Sequence, residues 1–205
     1  MKKIIFLILC LTIVFYAYSQ QTAEYYFNRG IAYGEQGNYS LAIANFNSAI
    51  KINPQYAEAY CGRGFAYVDQ GKYDSAITDF NSAITINPQF AEAYYNRGVA
   101  YYEQDNYALA IADFTSAIKI NPQYAEAYCG RGLVYYDQGN YSLAIANFNS
   151  AIKINPQIAE AYFGRGLVYG KQGIKELCIR DLKKAADLGF ELARRILKDF
   201  FNIDY

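Results

Sequence analysis

The twelve residues from Asn53 to Gly64 return unchanged at 121 to 132, and the twenty from Gln36 to Gln55 return at 138 to 157. Both offsets are multiples of 34, so the chain is built on a fixed short period, the signature of stacked structural repeats. Five copies fall into register at 23–56, 57–90, 91–124, 125–158 and 159–192, the last of them degenerate. Asn-Pro-Gln closes each of the first four copies, and Pro54, Pro88, Pro122 and Pro156 are all the prolines present. The period leaves little freedom of fold: each copy must make the same small unit, and units that short gain stability only by packing on their neighbours.

Within a copy the apolar spacing is helical. In the second, Tyr60, Arg63, Gly64 and Tyr67 fall at i, i+3, i+4 and i+7, on one helix face. Gln70-Gly71-Lys72 breaks the pattern as a glycine turn. Ala76, Ile77, Phe80, Ala83 and Ile84 then resume it until Pro88 stops it. Each copy therefore reads as a helical hairpin in which Gly64 and Ala76 let two backbones approach while Tyr60, Tyr67 and Phe80 fill the flanks.

These units resemble tetratricopeptide repeats (TPR). The family's aromatic at unit position 4 is Tyr26, Tyr60, Tyr94, Tyr128 and Tyr162, and its position-8 glycine is Gly30, Gly64, Gly98, Gly132 and Gly166. Position 11 is Tyr33, Tyr67, Tyr101, Tyr135 and Tyr169. Ala42, Ala76, Ala110 and Ala144 hold position 20, Phe46, Phe80, Phe114 and Phe148 hold position 24, and Ala49, Ala83, Ala117, Ala151 and Ala185 hold position 27. The resemblance implies an all-α fold, a right-handed α-solenoid of helix-turn-helix hairpins with a C-terminal capping helix. The expected domain runs over residues 20–192, followed by a cap and tail at 193–205. The fifth copy departs as a terminal repeat does: Cys178 and Leu182 replace alanine and phenylalanine, and Asp187-Leu188-Gly189-Phe190 replaces the Asn-Pro turn. Leu192, Ile196 and Leu197 with Arg194, Arg195 and Lys198 then read as one amphipathic helix that covers the last open edge.

Residues 1–19 stand outside the repeat. Lys2 and Lys3 precede an apolar run from Ile4 to about Tyr18, and Ala17-Tyr18-Ser19 offers small residues where an export peptidase reads. A cleavable secretory signal is the expected role. A permanent span is the weaker reading, because about 22 Å of helix falls short of a hydrocarbon core of about 30 Å. Periplasmic or extracellular localisation follows, or membrane anchoring if the segment is retained.

Charge narrows the partners. Lysine plus arginine and aspartate plus glutamate number 19 each. Loss of Lys2 and Lys3 with the signal leaves a net of −2, and repeats one to four hold 8 basic against 12 acidic residues. Nucleic acid requires clustered cations and is excluded as an expected partner. Lys183, Lys184, Arg194, Arg195 and Lys198 crowd the last helices but are interleaved with Asp181, Asp187, Glu191 and Asp199, the pattern of a solvated face.

Enzyme chemistry is not expected. The chain contains no histidine, so it lacks an imidazole base, a Ser-His pair and a His metal ligand. Glu58, Glu92, Glu126 and Glu160 recur every 34 residues, as a repeat surface does and a unique site does not. No catalytic residue, cofactor or metal is expected. Cys61 and Cys129 occupy one slot two repeats apart, too far for a disulfide within a chain; small packing residues or an intermolecular bridge are the readings left for them. Arg29, Arg63, Arg97, Arg131 and Arg165 at position 7 need partners if partly buried. Position 23 offers Asn45, Asp79, Asp113, Asn147 and Asp181, so a structural arginine ladder is expected, with an anion-binding row as the alternative.

The resemblance implies a non-enzymatic scaffold that binds an extended or helical peptide in a groove lined by the first helix of each unit. On that basis the partner-facing residues are Phe27, Cys61, Tyr95, Cys129 and Phe163 at position 5, Asn28 and Asn96 at position 6, and Tyr102 and Tyr136 at position 12. With Glu35, Asp69, Glu103, Asp137 and Lys171 at position 13, such a groove has largely acidic margins and suits an apolar or basic protein segment. The lysines that let some TPR proteins clamp a terminal carboxylate have no counterpart here. A self-associating solenoid, in which an open first repeat stacks on a second copy, and a membrane-tethered accessory subunit are the alternative readings.

Overall fold

The computed structural model describes residues 22–204. The proposed signal and Tyr205 lie outside the described residues. All regular elements among the described residues are helices: α1 (Ala23–Glu35), α2 (Tyr39–Ile52), α3 (Ala57–Val68), α4 (Tyr73–Ile86), α5 (Ala91–Glu103), α6 (Tyr107–Ile120), α7 (Ala125–Asp137), α8 (Tyr141–Ile154), α9 (Ala159–Lys171), α10 (Lys175–Asp187) and α11 (Glu191–Phe201). The chain divides into two compact units, Met1–Pro88 and Gln89–Tyr205. The described part of the first contains two hairpins, α1–α2 and α3–α4. The second contains three, α5–α6, α7–α8 and α9–α10, closed by α11.

Each hairpin turn needs one residue with positive φ to reverse the chain and satisfy the last carbonyls of the first helix. Gly37, Gly71, Gly139 and Gly173 take φ between 69° and 74° there, and Asp105 takes 58° in the third copy. In the fourth turn Gly139 N–H donates to the carbonyl of Tyr136 and Asn140 N–H to that of Tyr135. Between repeats the asparagine acts as a stop: Asn53, Asn121 and Asn155 accept from the backbone N–H two residues on, at 3.0–3.1 Å, and the proline prevents continuation.

The core explains the glycines. Phe46, Phe80, Phe114 and Phe148 are buried, and a Cβ on Gly30, Gly64, Gly98 or Gly132 would lie 2.6–3.0 Å from the phenylalanine of the same hairpin. The same ring meets a second glycine in the next hairpin. A Cβ on Gly62 would lie 2.8 Å from Phe46, one on Gly130 2.8 Å from Phe114, and one on Gly164 2.5 Å from Phe148. Each of these three rings is thus sandwiched between backbones of successive hairpins, and the Gly-x-Gly spacing makes both contacts.

The arginine between those glycines staples the stack. Arg63 donates through Nε and a terminal nitrogen to both oxygens of Asp79, at 2.8 and 2.6 Å; Arg97 does so to Asp113 and Arg165 to Asp181. Arg131 donates to Asn147 Oδ1 at 2.9 Å. The remaining terminal nitrogen reaches back to the preceding hairpin, from Arg63 to Asn47, from Arg131 to Thr115 and from Arg165 to Asn149. The ladder expected at position 23 is present in these four copies. It is absent in the first, where Arg29 donates to the hydroxyls of Tyr25 and Tyr33 at 3.2 Å. Tyr25 stands where Ala59, Ala93, Ala127 and Ala161 are fully buried, so the outer side of α1 carries bulk that no other first helix carries.

The closing helix begins at Glu191, after three connecting residues in place of the four between α8 and α9. It buries Ala193 and Leu197, while Leu192, expected on the apolar side, faces outward.

Candidate partner-binding face

A first helix exposes a narrow line of residues once its other sides are packed. Positions 2, 9 and 13 are separated by seven and four residues, which at 100° per residue keeps them within about 20° of one line. The line reads Glu24–Ile31–Glu35 on α1 and Glu58–Phe65–Asp69 on α3, whose helices touch within the first unit. It reads Glu92–Val99–Glu103 on α5, Glu126–Leu133–Asp137 on α7 and Glu160–Leu167–Lys171 on α9, where α7 touches both of its fellow first helices. Every position-2 and position-13 side chain is exposed. Ile31 and Phe65 are 40% and 51% exposed, and Val99, Leu133 and Leu167 are half-buried.

The position-5 residues point elsewhere. Phe27 stacks on Tyr56 at 5.0 Å, Tyr95 on Tyr124 at 5.1 Å and Phe163 on Phe190 at 4.6 Å, the residues that lead into α3, α7 and the closing helix α11. Phe27 and Tyr95 also meet the phenylalanine of their own hairpin, Phe46 and Phe114. Cys61 and Cys129 are buried at 3% and 5% exposure, and Cys129 shares a core cluster with Ile158. Cys61, Cys129 and Cys178 are all reduced thiols inside the packing. Position 5 therefore joins hairpin to hairpin along each unit. At position 6, Asn28 is exposed on the first helix and Asn96 is buried.

Position 12 lies beside the exposed line. Tyr102 donates its hydroxyl to Asp137 Oδ2 of the following first helix at 2.6 Å, and its ring lies 6.1 Å from Tyr107. Tyr136 makes the matching ring contact with Tyr141. Burial pushes the Tyr102 hydroxyl far up, and the bond to Asp137 adds to the shift. Tyr95 is pushed up to about 12 by burial first, with Cys129, Glu126 and Glu160 contributing. Cys129 is likewise raised to about 12, by burial and then by Glu160 and Glu126. These thiols and phenols are neutral at ordinary pH, and the carboxylates dominate the field of the face.

The arginines do not offset that field. Arg63, Arg97 and Arg165 are committed to buried carboxylates and Arg131 to Asn147 and Thr115, with guanidinium groups over the rings of Tyr60, Tyr94, Tyr162 and Tyr128. A formal balance of charge hides this division: the arginines of α3, α5, α7 and α9 are spent inside the stack, and nine of the ten outward positions at 2 and 13 are carboxylates, the tenth being exposed Lys171. Position 9 is among the groove positions that the family resemblance implies, although its residues are not singled out by it; their signal is the seven-residue spacing from each glutamate.

Family comparison agrees with this repeated helical hairpin. A TPR repeat profile matches residues 34–71, 66–105 and 132–173, and a tetratricopeptide repeat profile matches residues 91–124. The chain belongs to the tetratricopeptide repeat family. Among solved structures, one of MamA is 30% identical over 80% of this chain and 96% of its own, with a TM-score of 0.67. PilF of Pseudomonas aeruginosa is 19% identical over 88% of this chain and 84% of its own, with a TM-score of 0.77. YrrB, described as a TPR protein with an unusual peptide-binding site, is 23% identical over 89% and 95%, with a TM-score of 0.64. The last two likenesses concern the fold. Among curated protein sequences none matches.

Proposed function

We propose that this TPR protein is an exported, non-enzymatic scaffold that holds a partner peptide or helix against the successive first helices of its repeats. The observation that carries the reading is the exposed apolar line: Ile31 and Phe65 stand open to solvent on touching first helices, between outward carboxylates, whereas the comparably exposed Leu41, Leu109 and Leu143 lie on second helices. Membership of a family of protein-interaction repeats supports it. Absence of histidine from the sequence favours binding over acid–base catalysis. Export is supported by Lys2, Lys3 and the apolar run behind them.

The test uses the protein recovered from its own host. Its intact mass reports whether residues 1–19 have been removed. Affinity capture from a cell-envelope extract should retain one protein that a variant carrying Ile31→Ser and Phe65→Ser loses while keeping the same helical content. Equal capture by both proteins would overturn the assignment of the face, and an unprocessed chain in the soluble cytoplasmic fraction would overturn export.

A further inference from the structure

We infer that the occupant of this face is a cationic amphipathic segment of a partner protein, with apolar residues over the position-9 line and lysine or arginine reaching carboxylates on both sides. The inference rests on the interaction-scaffold reading and names the chemistry of its partner. Three observations combine.

The apolar line is bordered along its length. Positions 2 and 13 are eleven residues apart, about 16 Å along a helix, so each first helix lays an apolar residue between two outward side chains. In the first unit these are Glu24 and Glu35 beside Ile31, and Glu58 and Asp69 beside Phe65, all exposed. A segment crossing the helices is thus flanked by carboxylates on each side, at a width that long basic side chains span from either an extended or a helical backbone.

Apart from Lys171 at the end of the α9 border, the first-helix cations that would neutralise the borders are held away from them. The first-helix arginines of repeats two to five are bonded into the stack, and Arg29 is clasped between Tyr25 and Tyr33. Some of the border is also fixed in place, since Tyr102 holds Asp137. Preset carboxylates lose less freedom when a cation arrives than mobile ones do.

Other occupants fit less well. Nucleic acid and anionic lipid surfaces carry the sign of the face itself. A second copy stacking at the ends meets Tyr25 at one end, where later repeats bury alanine, and the charged helix α11 at the other.

The experiment measures binding of a labelled ten-residue peptide alternating arginine with leucine, by fluorescence anisotropy, against counterparts with glutamine or glutamate in place of arginine. The arginine peptide should bind at least about tenfold more tightly than the glutamine peptide, and should weaken about tenfold as salt rises from about 50 to 300 mM. Replacement of exposed Glu24, Glu35 and Glu58, which border Ile31 and Phe65 in the first unit, by glutamine should weaken it at least about fivefold. Equal binding of arginine and glutamine peptides, with the loss confined to the Phe65→Ser variant, overturns the cationic partner and leaves the scaffold reading standing. Insensitivity to Phe65→Ser as well overturns both. Failure of all three peptides to bind at millimolar concentration overturns the inference. So does a salt-sensitive dimer of the unmodified protein in sedimentation velocity, which would give the face to the basic end of a second copy.

Discussion

Helices α7 and α11 share one plan for a turn and a half and then diverge. Each buries its third residue, Ala127 in one and Ala193 in the other. The next turn sets them apart. In α7 it brings Arg131 and Gly132, which bond Asn147 and admit the ring of Phe148. In α11 the same two places hold Leu197 and Lys198, one buried and one exposed. Leucine completes the packing on α10, and lysine denies any second helix the approach that glycine grants. Propagation and termination thus differ by two side chains on a common scaffold, and an apolar surface becomes a solvated one without a change of fold.

The widest contrast should come from the phenylalanines. Phe148 is fully buried between Gly132 and Gly164, so Phe148→Ala should cost about 4 kcal/mol in urea unfolding. Phe200 on α11 is 78% exposed, and Phe200→Ala should stay within about 0.5 kcal/mol. Exchanging the deciding residue comes next. Gly132→Lys should cost about 3 kcal/mol, because even its Cβ would sit 2.9 Å from Phe148; Lys198→Gly should cost about 1 kcal/mol, the helix propensity alone. Similar values for the two swaps would sink the claim that this position selects the outcome.

The staples give a third, smaller test. Asp181 is nearly inaccessible and accepts from Arg165 through both oxygens, so Asp181→Ala should lower stability by about 2 kcal/mol. Asn147→Ala, which removes a neutral acceptor from Arg131, should lower it by about 1 kcal/mol, and equal losses would mean that charge adds nothing to the staple. The smallest effects belong to the turns. Gly139→Ala should cost about 1 kcal/mol at its φ of 74°, whereas Asp105→Gly should gain about 0.5 kcal/mol by relieving the one non-glycine left-handed turn among the five hairpins. Shifts in denaturation midpoint at constant slope would measure both.

Much of this was legible in the residues. Hairpin boundaries emerge from the period, and the pairing of Arg63 with Asp79 emerges from placing a cation in a partly buried slot with an acid sixteen residues on. The first copy escaped that logic because Tyr25 supplies a nearer hydroxyl that the repeat pattern treats as an exception. The face was harder. Positions 2, 5, 6 and 9 all lie on one side of a helix, but that side is divided between the next hairpin and solvent. The division depends on how far neighbouring helices are rotated, which spacing along one helix does not encode. Phe27, Tyr95 and Phe163 consequently read as partner-facing, whereas the fold turns them toward Tyr56, Tyr124 and Phe190. Gly62, Gly130 and Gly164 were equally opaque, since their neighbour is a ring from the preceding copy.

The staples also bear on how such a gene can change. Arg131 bonds a residue sixteen ahead and another sixteen behind, as Arg63 and Arg165 do. If recombination between near-identical copies excised residues 125–158, Arg165 would meet Thr115, the partner that Arg131 has now, and its forward bond to Asp181 would be untouched. Gain or loss of an internal 34-residue unit conserves the interface grammar, so variants of different length arise already compatible with themselves, and the number of carboxylate-edged first helices can rise or fall in single genetic steps.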